Sequence, residues 1–406
     1  MQKVAFSQIG GSEERYSELK KMFTEHFGRE PSRYFSAPGR SEICGNHTDH
    51  NRGKVLAAAV DLDIIAAVEP TDDGLVVVKS EGYPEDRISL SELSVSHSEK
   101  NTSAALIRGV LAGFKARGYE IGGFRAYTRS NVLKGSGLSS SAAFEVLIGT
   151  VLSGLYNGGK ASAVEIAQIA QYAENVYFGK PSGLMDQMAS SVGGFTKIDF
   201  KDPENPEIEA ISLDLKAHDY NLCIIDTRGD HADLTPDYAA IPSEMKAAAG
   251  YFGKDYLREL SREDIIENIS ALRDAVGDRA VLRALHFMDE NVRVDELAAA
   301  IKSGDFSAFL SVIERSGDSS YKYLQNVYTC AHPDEQGVSL ALYMAKSLLG
   351  GEGAVRVHGG GFAGTIQAFV PDAKLKEFVK GMEKVFGDGS CYVLSVRPYG
   401  GVEVEL

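Results

Sequence analysis

The chain has 406 residues, 44% hydrophobic and 24% charged, close to globular averages; wholesale disorder is excluded and two domains are the first expectation. Lys plus Arg total 42 and Asp plus Glu 57, a formal net charge of −15 that repels phosphate backbones and argues against nucleic acid as a partner. No run approaches the ~18 uninterrupted apolar residues of a membrane helix, the sequence opens without an apolar leader, and its four cysteines lack metal-binding or disulfide spacing, so a reducing cytosol is the expected home.

In chain order, residues 12–28 read as a helix, with Ser12 as cap and Tyr16, Leu19, Met22 and Phe23 at helical spacing. Residues 55–68 and 74–79 are β-like, 102–117 helical, and 123–128 alternate as a strand does. A glycine-serine loop then runs into an apolar helix ending near Tyr156. Residues 162–178 form the best helical pattern, with Ser162 and Glu165 spaced as a capping box. The segment KDPENPE, 201–207, reads as a loop or domain boundary, giving domains 1–204 and 205–406. Beyond it come a strand at 220–226, helices to about residue 350, and strands at 354–358, 365–370 and 392–397. Strands and helices mix without strict alternation, which favours an α+β fold over a doubly wound sheet.

Four segments carry chemistry. The first, KGSGLSSSA at 134–142, brings small residues and first-turn helix amides to one point, where an anion such as phosphate binds; the competing reading is a Ser-capped helix after a flexible turn. It lacks the Gly-Lys-Ser/Thr ending of a Walker loop. The second, HGGGFAG at 358–364, contains GxGxxG, but a strand-like TIQAFV follows instead of a helix, so dinucleotide binding is rejected and a hairpin turn or a second glycine wall remains. The third, PGRSEICGNHTDHN at 38–51, offers donors and acceptors suited to sugar hydroxyls, or reads as a solvated turn. The fourth, ENVYFGKPSGLMDQ at 174–187, sets Glu174 and Asp186 about a turn, where paired carboxylates hold a divalent ion or take a proton, unless Asp186 is simply a surface residue.

These four segments in this order resemble the galactokinase branch of the GHMP small-molecule kinases, over about residues 30–400. The resemblance implies an N-terminal domain like ribosomal protein S5 domain 2, a ferredoxin-like C-terminal domain, and an active site between them. It implies that Gly135, Ser136, Gly137, Leu138, Ser139, Ser140 and Ser141 wrap the phosphates of ATP, and that Ser141 and Glu174 hold Mg²⁺. It further implies Asp186 and Arg40 as the catalytic pair, Asn46, His47, Asp49, Gly183 and Tyr238 as sugar-contacting positions, and Gly360, Gly361 and Phe362 as the third kinase motif. Three departures stand out. The family's Gly-Glu-His-Thr-Asp-Tyr is here Gly-Asn-His-Thr-Asp-His with Asn46 for Glu, and Ser41-Glu42 replaces Val-Asn; the usual arginine pair after Tyr238 is also absent.

The expected activity is ATP-dependent phosphorylation of a sugar's anomeric hydroxyl, galactose first, by a monomer or weak oligomer with no membrane partner. Asn46 motivates N-acetylgalactosamine or arabinose as the alternative acceptor. A sugar sensor without chemistry is the rival of another class; it is expected to lose a phosphate-loop or carboxylate residue, and none is lost here.

Overall fold

The computed structural model describes residues 2–132, 137–229 and 234–406. Its first half comprises Lys3–Ala5 (β1), Glu13–Phe27 (α1), Arg33–Cys44 (β2), Lys54–Thr71 (β3), Leu75–Ser80 (β4), Glu85–Ser89 (β5), Ser103–Ala116 (α2), Gly123–Ser130 (β6), Ser140–Tyr156 (α3), Ala163–Tyr172 (α4) and Met185–Val192 (α5). There follow Phe195–Asp199 (β7), Glu207–Ile211 (β8), Tyr220–Asp226 (β9), Thr235–Tyr251 (α6), Arg262–Glu267 (α7), Ile269–Val276 (α8), Asp278–Ser303 (α9) and Phe306–Ser319 (α10). The chain ends with Gly337–Leu349 (α11), Ala354–Val357 (β10), Thr365–Pro371 (β11), Asp372–Phe386 (α12), Cys391–Leu394 (β12) and Val402–Glu405 (β13).

The first sheet runs β1-β13-β2-β3-β6-β4-β5, with β7 paired to β3 and β8 to β7. Its long strand β3 is apolar because both faces are covered. Ile64, Ala66 and Val68 meet the core shared with α2, α3 and α4, while Ile65 and Ala67 meet α1. Asp63 interrupts that run, yet it is 1% exposed and held by Arg397 at 3.0 Å, Arg15 at 2.5 Å and the Ser36 hydroxyl. The expected caps are present. Ser12 accepts from Arg15 N, and Ser162 and Glu165 close a reciprocal box that starts α4. The helix expected over 162–178 tightens into α4 and then widens into a π segment, Ala173–Phe178, which carries Glu174.

The second sheet is antiparallel, ordered β10-β11-β9-β12, with α11 and α12 packed against its core. With crossovers after its first and third strands, this is the split βαβ pattern of a ferredoxin-like sheet, carrying α6 to α10 as a helical insertion before α11. β11 directly follows the glycines of 358–364, as the rejection of dinucleotide binding requires. The 201–207 segment is the turn of a hairpin, since Asp199 lies opposite Glu207, and β13 returns from the far end to pair with β2. Residues 38–51 are not a solvated turn. Residues 33–44 form β2, and Arg40, Ser41, Glu42 and Asn46 are buried, because α3, α5 and α9 pack on that stretch and Arg356 of β10 and His358 after it bond into it.

Candidate active site

The site is assembled around the start of α3. Ser139 precedes the helix in the left-handed region, φ 54° and ψ 61°, a conformation costly for a residue with a Cβ and held here by its surroundings. Its hydroxyl donates to Asp186 Oδ2 at 2.5 Å. Asp186 stands in the first turn of α5, where the helix dipole favours a carboxylate. Its other oxygen accepts from Arg40 Nε at 2.7 Å, and the same guanidinium donates to the carbonyl of Gly137 in the loop. Arg40 extends from β2, whose backbone binds Leu138 O at 3.1 Å, so strand and loop are locked together. Burial alone raises the Asp186 pKa; Arg40, the Ser139 hydrogen bond and the Lys180 charge outweigh it and hold the carboxyl at about 2.

Ser141, two residues on in the first turn of α3, meets Glu174. Ser141 Oγ donates to Glu174 Oε1 at 3.1 Å, Lys180 Nζ reaches the same oxygen at 3.0 Å, and Gln187 Nε2 donates to Oε2 at 2.8 Å. Among the described residues no group of three or more His, Cys, Asp or Glu forms a closed metal cage. The Ser141 hydroxyl and the Glu174 carboxylate are oxygen donors of the kind Mg²⁺ takes alongside waters and phosphates, and could hold it once the Lys180 contact with Glu174 gives way.

The sugar-segment residues lie against the same centre. A Cβ on Gly183 would fall 1.7 Å from Asp49 Oδ2, so any side chain there displaces that carboxylate. Burial, then the charge of Asp186, pushes the Asp49 pKa up to about 6. His47 is held in the left-handed region at φ 57°, and its Nε2 lies 3.0 Å from Gly360 O, which makes that nitrogen the donor. Burial lowers the His47 pKa, so the ring is neutral at pH 7. Tyr238 packs edge-on against Phe362, with centroids 5.3 Å apart, and its hydroxyl donates to Gly361 O at 2.8 Å.

Arg40, His47, Asp49, Gly137, Leu138, Ser139, Ser141, Glu174, Gly183 and Asp186 are thus brought into one centre, with Ser140 opening α3 beside them. Gly135 and Ser136 lie outside the described residues. Asn46 is placed differently from the expected sugar contact. It is 0% exposed, and its carboxamide is spent on Glu42, Gly359, Ser320 and Asn326. Lys180, Gln187 and Asn326 complete the site without a distinctive signal in the sequence. Their spacing from the partners they touch is set by the fold, and only Lys180 and Gln187 fall inside a singled-out segment.

The sheet order, with a glycine-serine segment leading into α3 beside Glu174 and Asp186, is that of a GHMP-type small-molecule kinase. Two family models match, the galactokinase galactose-binding signature over residues 21–70 and the GHMP kinases N terminal domain over 105–194. A galactokinase of Streptomyces coelicolor is 31% identical over 364 residues, 90% of this chain and 91% of that one. The crystal structure of Lactococcus lactis galactokinase complexed with galactose superposes with a TM-score of 0.81 at 26% identity, covering 97% of this chain and 100% of that one. The Methanococcus jannaschii mevalonate kinase shares the fold, with a TM-score of 0.63 at 16% identity over 90% and 98% of the two chains. The chain belongs to the galactokinase family.

Proposed function

We propose that this protein transfers the γ-phosphoryl group of ATP to the anomeric hydroxyl of galactose, giving galactose 1-phosphate and ADP. The observation that carries the reading is the contact of Asp186 with both Ser139 of the phosphate loop and Arg40. A sugar hydroxyl held by Asp186 then lies next to the loop that grips the triphosphate.

Phosphoryl transfer asks mainly for alignment and neutralised charge. The anomeric oxygen attacks the γ-phosphorus, the bond to the β,γ-bridging oxygen breaks, and the hydroxyl proton passes to Asp186 and from there to solvent. A carboxyl held at about 2 is a weak base, so Asp186 acts first by orienting the hydroxyl and accepts the proton as the new P–O bond forms. Arg40 keeps that carboxylate ionised and faces the transferring group from the Gly137 side. Ser141 and Glu174 would hold Mg²⁺, which when bound neutralises phosphate charge. Asp49, His47 and Gly183 line the sugar side. A division at 204 would cut the β7–β8 hairpin, so we place it after β8; the glycine-serine segment then lies in the first part and the third glycine segment in the second, with the substrates between them. Four unpaired cysteines suit a reducing, cytosolic setting, and we take the protein as a monomer or weak oligomer.

The test is coupled ADP release with ATP and Mg²⁺ over a panel of galactose, N-acetylgalactosamine, arabinose and glucose, with phosphorus NMR of the product. Galactose-dependent ADP release and an anomeric phosphate are expected. Sugar binding without ADP release would overturn the reading in favour of a sensor.

A further inference from the structure

Asn46 sits at the crossing of the sugar segment and the third glycine segment, and every hydrogen-bonding group of its side chain is used. Nδ2 donates to Glu42 Oε1 at 3.0 Å and to Gly359 O at 2.8 Å. Oδ1 accepts from Asn326 Nδ2 at 2.8 Å and from Ser320 Oγ at 3.3 Å. The backbone is equally committed, since the Asn46 carbonyl accepts from His286 Nε2 at 2.9 Å. With no accessible surface, the residue has no face to offer a ligand.

The partners explain what this arrangement holds. Asn326 Nδ2 also donates to Gly360 O at 3.1 Å, the carbonyl that receives His47 Nε2. Glu42 is fixed in turn by the fully buried Arg356 at 2.6 Å, whose guanidinium also binds Ile43 O. One carboxamide therefore ties the loop bearing His47 and Asp49, on the β2 side, to the Gly359-Gly360 turn after β10. Resting on the kinase reading above, we propose that Asn46 is a positioning residue that clamps these two segments together through Glu42, Asn326 and Gly359, and that it takes no part in choosing the sugar.

Two of the departures from the family pattern, Glu42 for Asn and Asn46 for Glu, touch each other in this chain: the carboxylate stands at 42, the carboxamide at 46, and the carboxamide donates to the carboxylate. A carboxylate restored at 46 alone faces the Glu42 carboxylate and the Gly359 carbonyl with no proton to give, so it repels where Asn attracts.

The experiment is steady-state kinetics of Asn46→Asp, Glu42→Gln and the double variant on galactose, N-acetylgalactosamine and arabinose, with thermal unfolding alongside. Asn46→Asp is expected to lower kcat at least about tenfold on every sugar the wild type accepts, while the ratio of kcat/KM between sugars stays within about threefold. Glu42→Gln in the Asn46→Asp background is expected to recover a large part of that kcat, because the amide it introduces can donate where two carboxylates repelled. Should Asn46→Asp not fold, Asn46→Ser and Asn326→Ser, which weaken the clamp without adding charge, carry the same expectation of lower kcat at an unchanged sugar ratio. A sugar ratio shifted about tenfold or more by any of these changes, or a double variant no better than Asn46→Asp, overturns the proposal. Failure of the kinase reading shows separately, as a wild-type protein without turnover.

Discussion

Asp186→Asn is the sharpest perturbation, because the amide keeps the carboxylate's shape and removes its charge. The carboxyl drops from 3.8 to about 2 in the folded protein, burial included. A shift of that size is worth ~2 kcal/mol in favour of the anion. The sign follows from the direction. A depressed carboxyl stabilises the fold above its unfolded pKa and loses that contribution as pH falls toward its folded one, so at pH 7 all of it is at stake. Arg40 stays buried with a neutral partner and the Gly137 carbonyl. The expected loss of stability is thus ~2 kcal/mol, a shift of a few °C in a chain of this size. The catalytic loss is larger. Orientation and proton acceptance by one group are worth about 10²–10⁴ in rate, ~3–5 kcal/mol of barrier. Coupled ADP release and a thermal melt on the same preparation separate the two effects. A folded Asp186→Asn protein within about tenfold of wild-type kcat would refute the catalytic assignment. A protein that unfolds altogether would refute the claim that the charge serves the reaction more than the fold.

Asp49 titrates with the opposite sign. Its carboxyl is raised from 3.8 to about 6, so the fold gains from its proton below pH 4 and loses that gain as pH rises through about 6. Asp49→Asn is expected to melt higher than wild type at pH 7.5 and level with it near pH 4, and wild-type kcat/KM for the sugar should fall as pH drops through about 6; a flat profile and equal melts would remove Asp49 from that role. Gly183→Ala places a Cβ 1.7 Å from Asp49 Oδ2 and should raise KM for the sugar while leaving KM for ATP near wild type, as initial-rate kinetics with each substrate varied will show. Asp63→Ala strands Arg397 in the core beside Ser36, and should cost ~3–5 kcal/mol in urea unfolding; a loss below ~1 kcal/mol would show the buried pair to be dispensable.

Much of the architecture was legible because it is local. Ser12, Ser162 and Glu165 cap their helices through residues three positions away, and such spacing is visible in any linear reading. The glycine-serine segment before α3, the two carboxylates of 174–187 and the glycines of 358–364 were also visible as candidates, and it was their joint order that carried the family resemblance. The strand before Asn46 was not visible. Residues 33–44 carry Arg, Ser and Glu, and polar residues read as solvated until buried partners are known. Arg356 and His358, more than three hundred residues away, supply those partners to Glu42 and Ser41.

Sequence alone pointed to the kind of chemistry through the family resemblance carried by four segments in order, although the glycine-serine turn and the carboxylate after the Pro-Ser-Gly turn each kept a plainer reading when taken singly. Tertiary structure decided what each polar side chain spends its hydrogen bonds on: that Asp186 meets Ser139 and Arg40, that Asp49 feels Asp186, and that Asn46 turns inward to Glu42 and Asn326. The physical reason is range. Capping and turn preferences act within a few residues, whereas burial and charge pairing depend on groups that only folding brings within hydrogen-bonding distance.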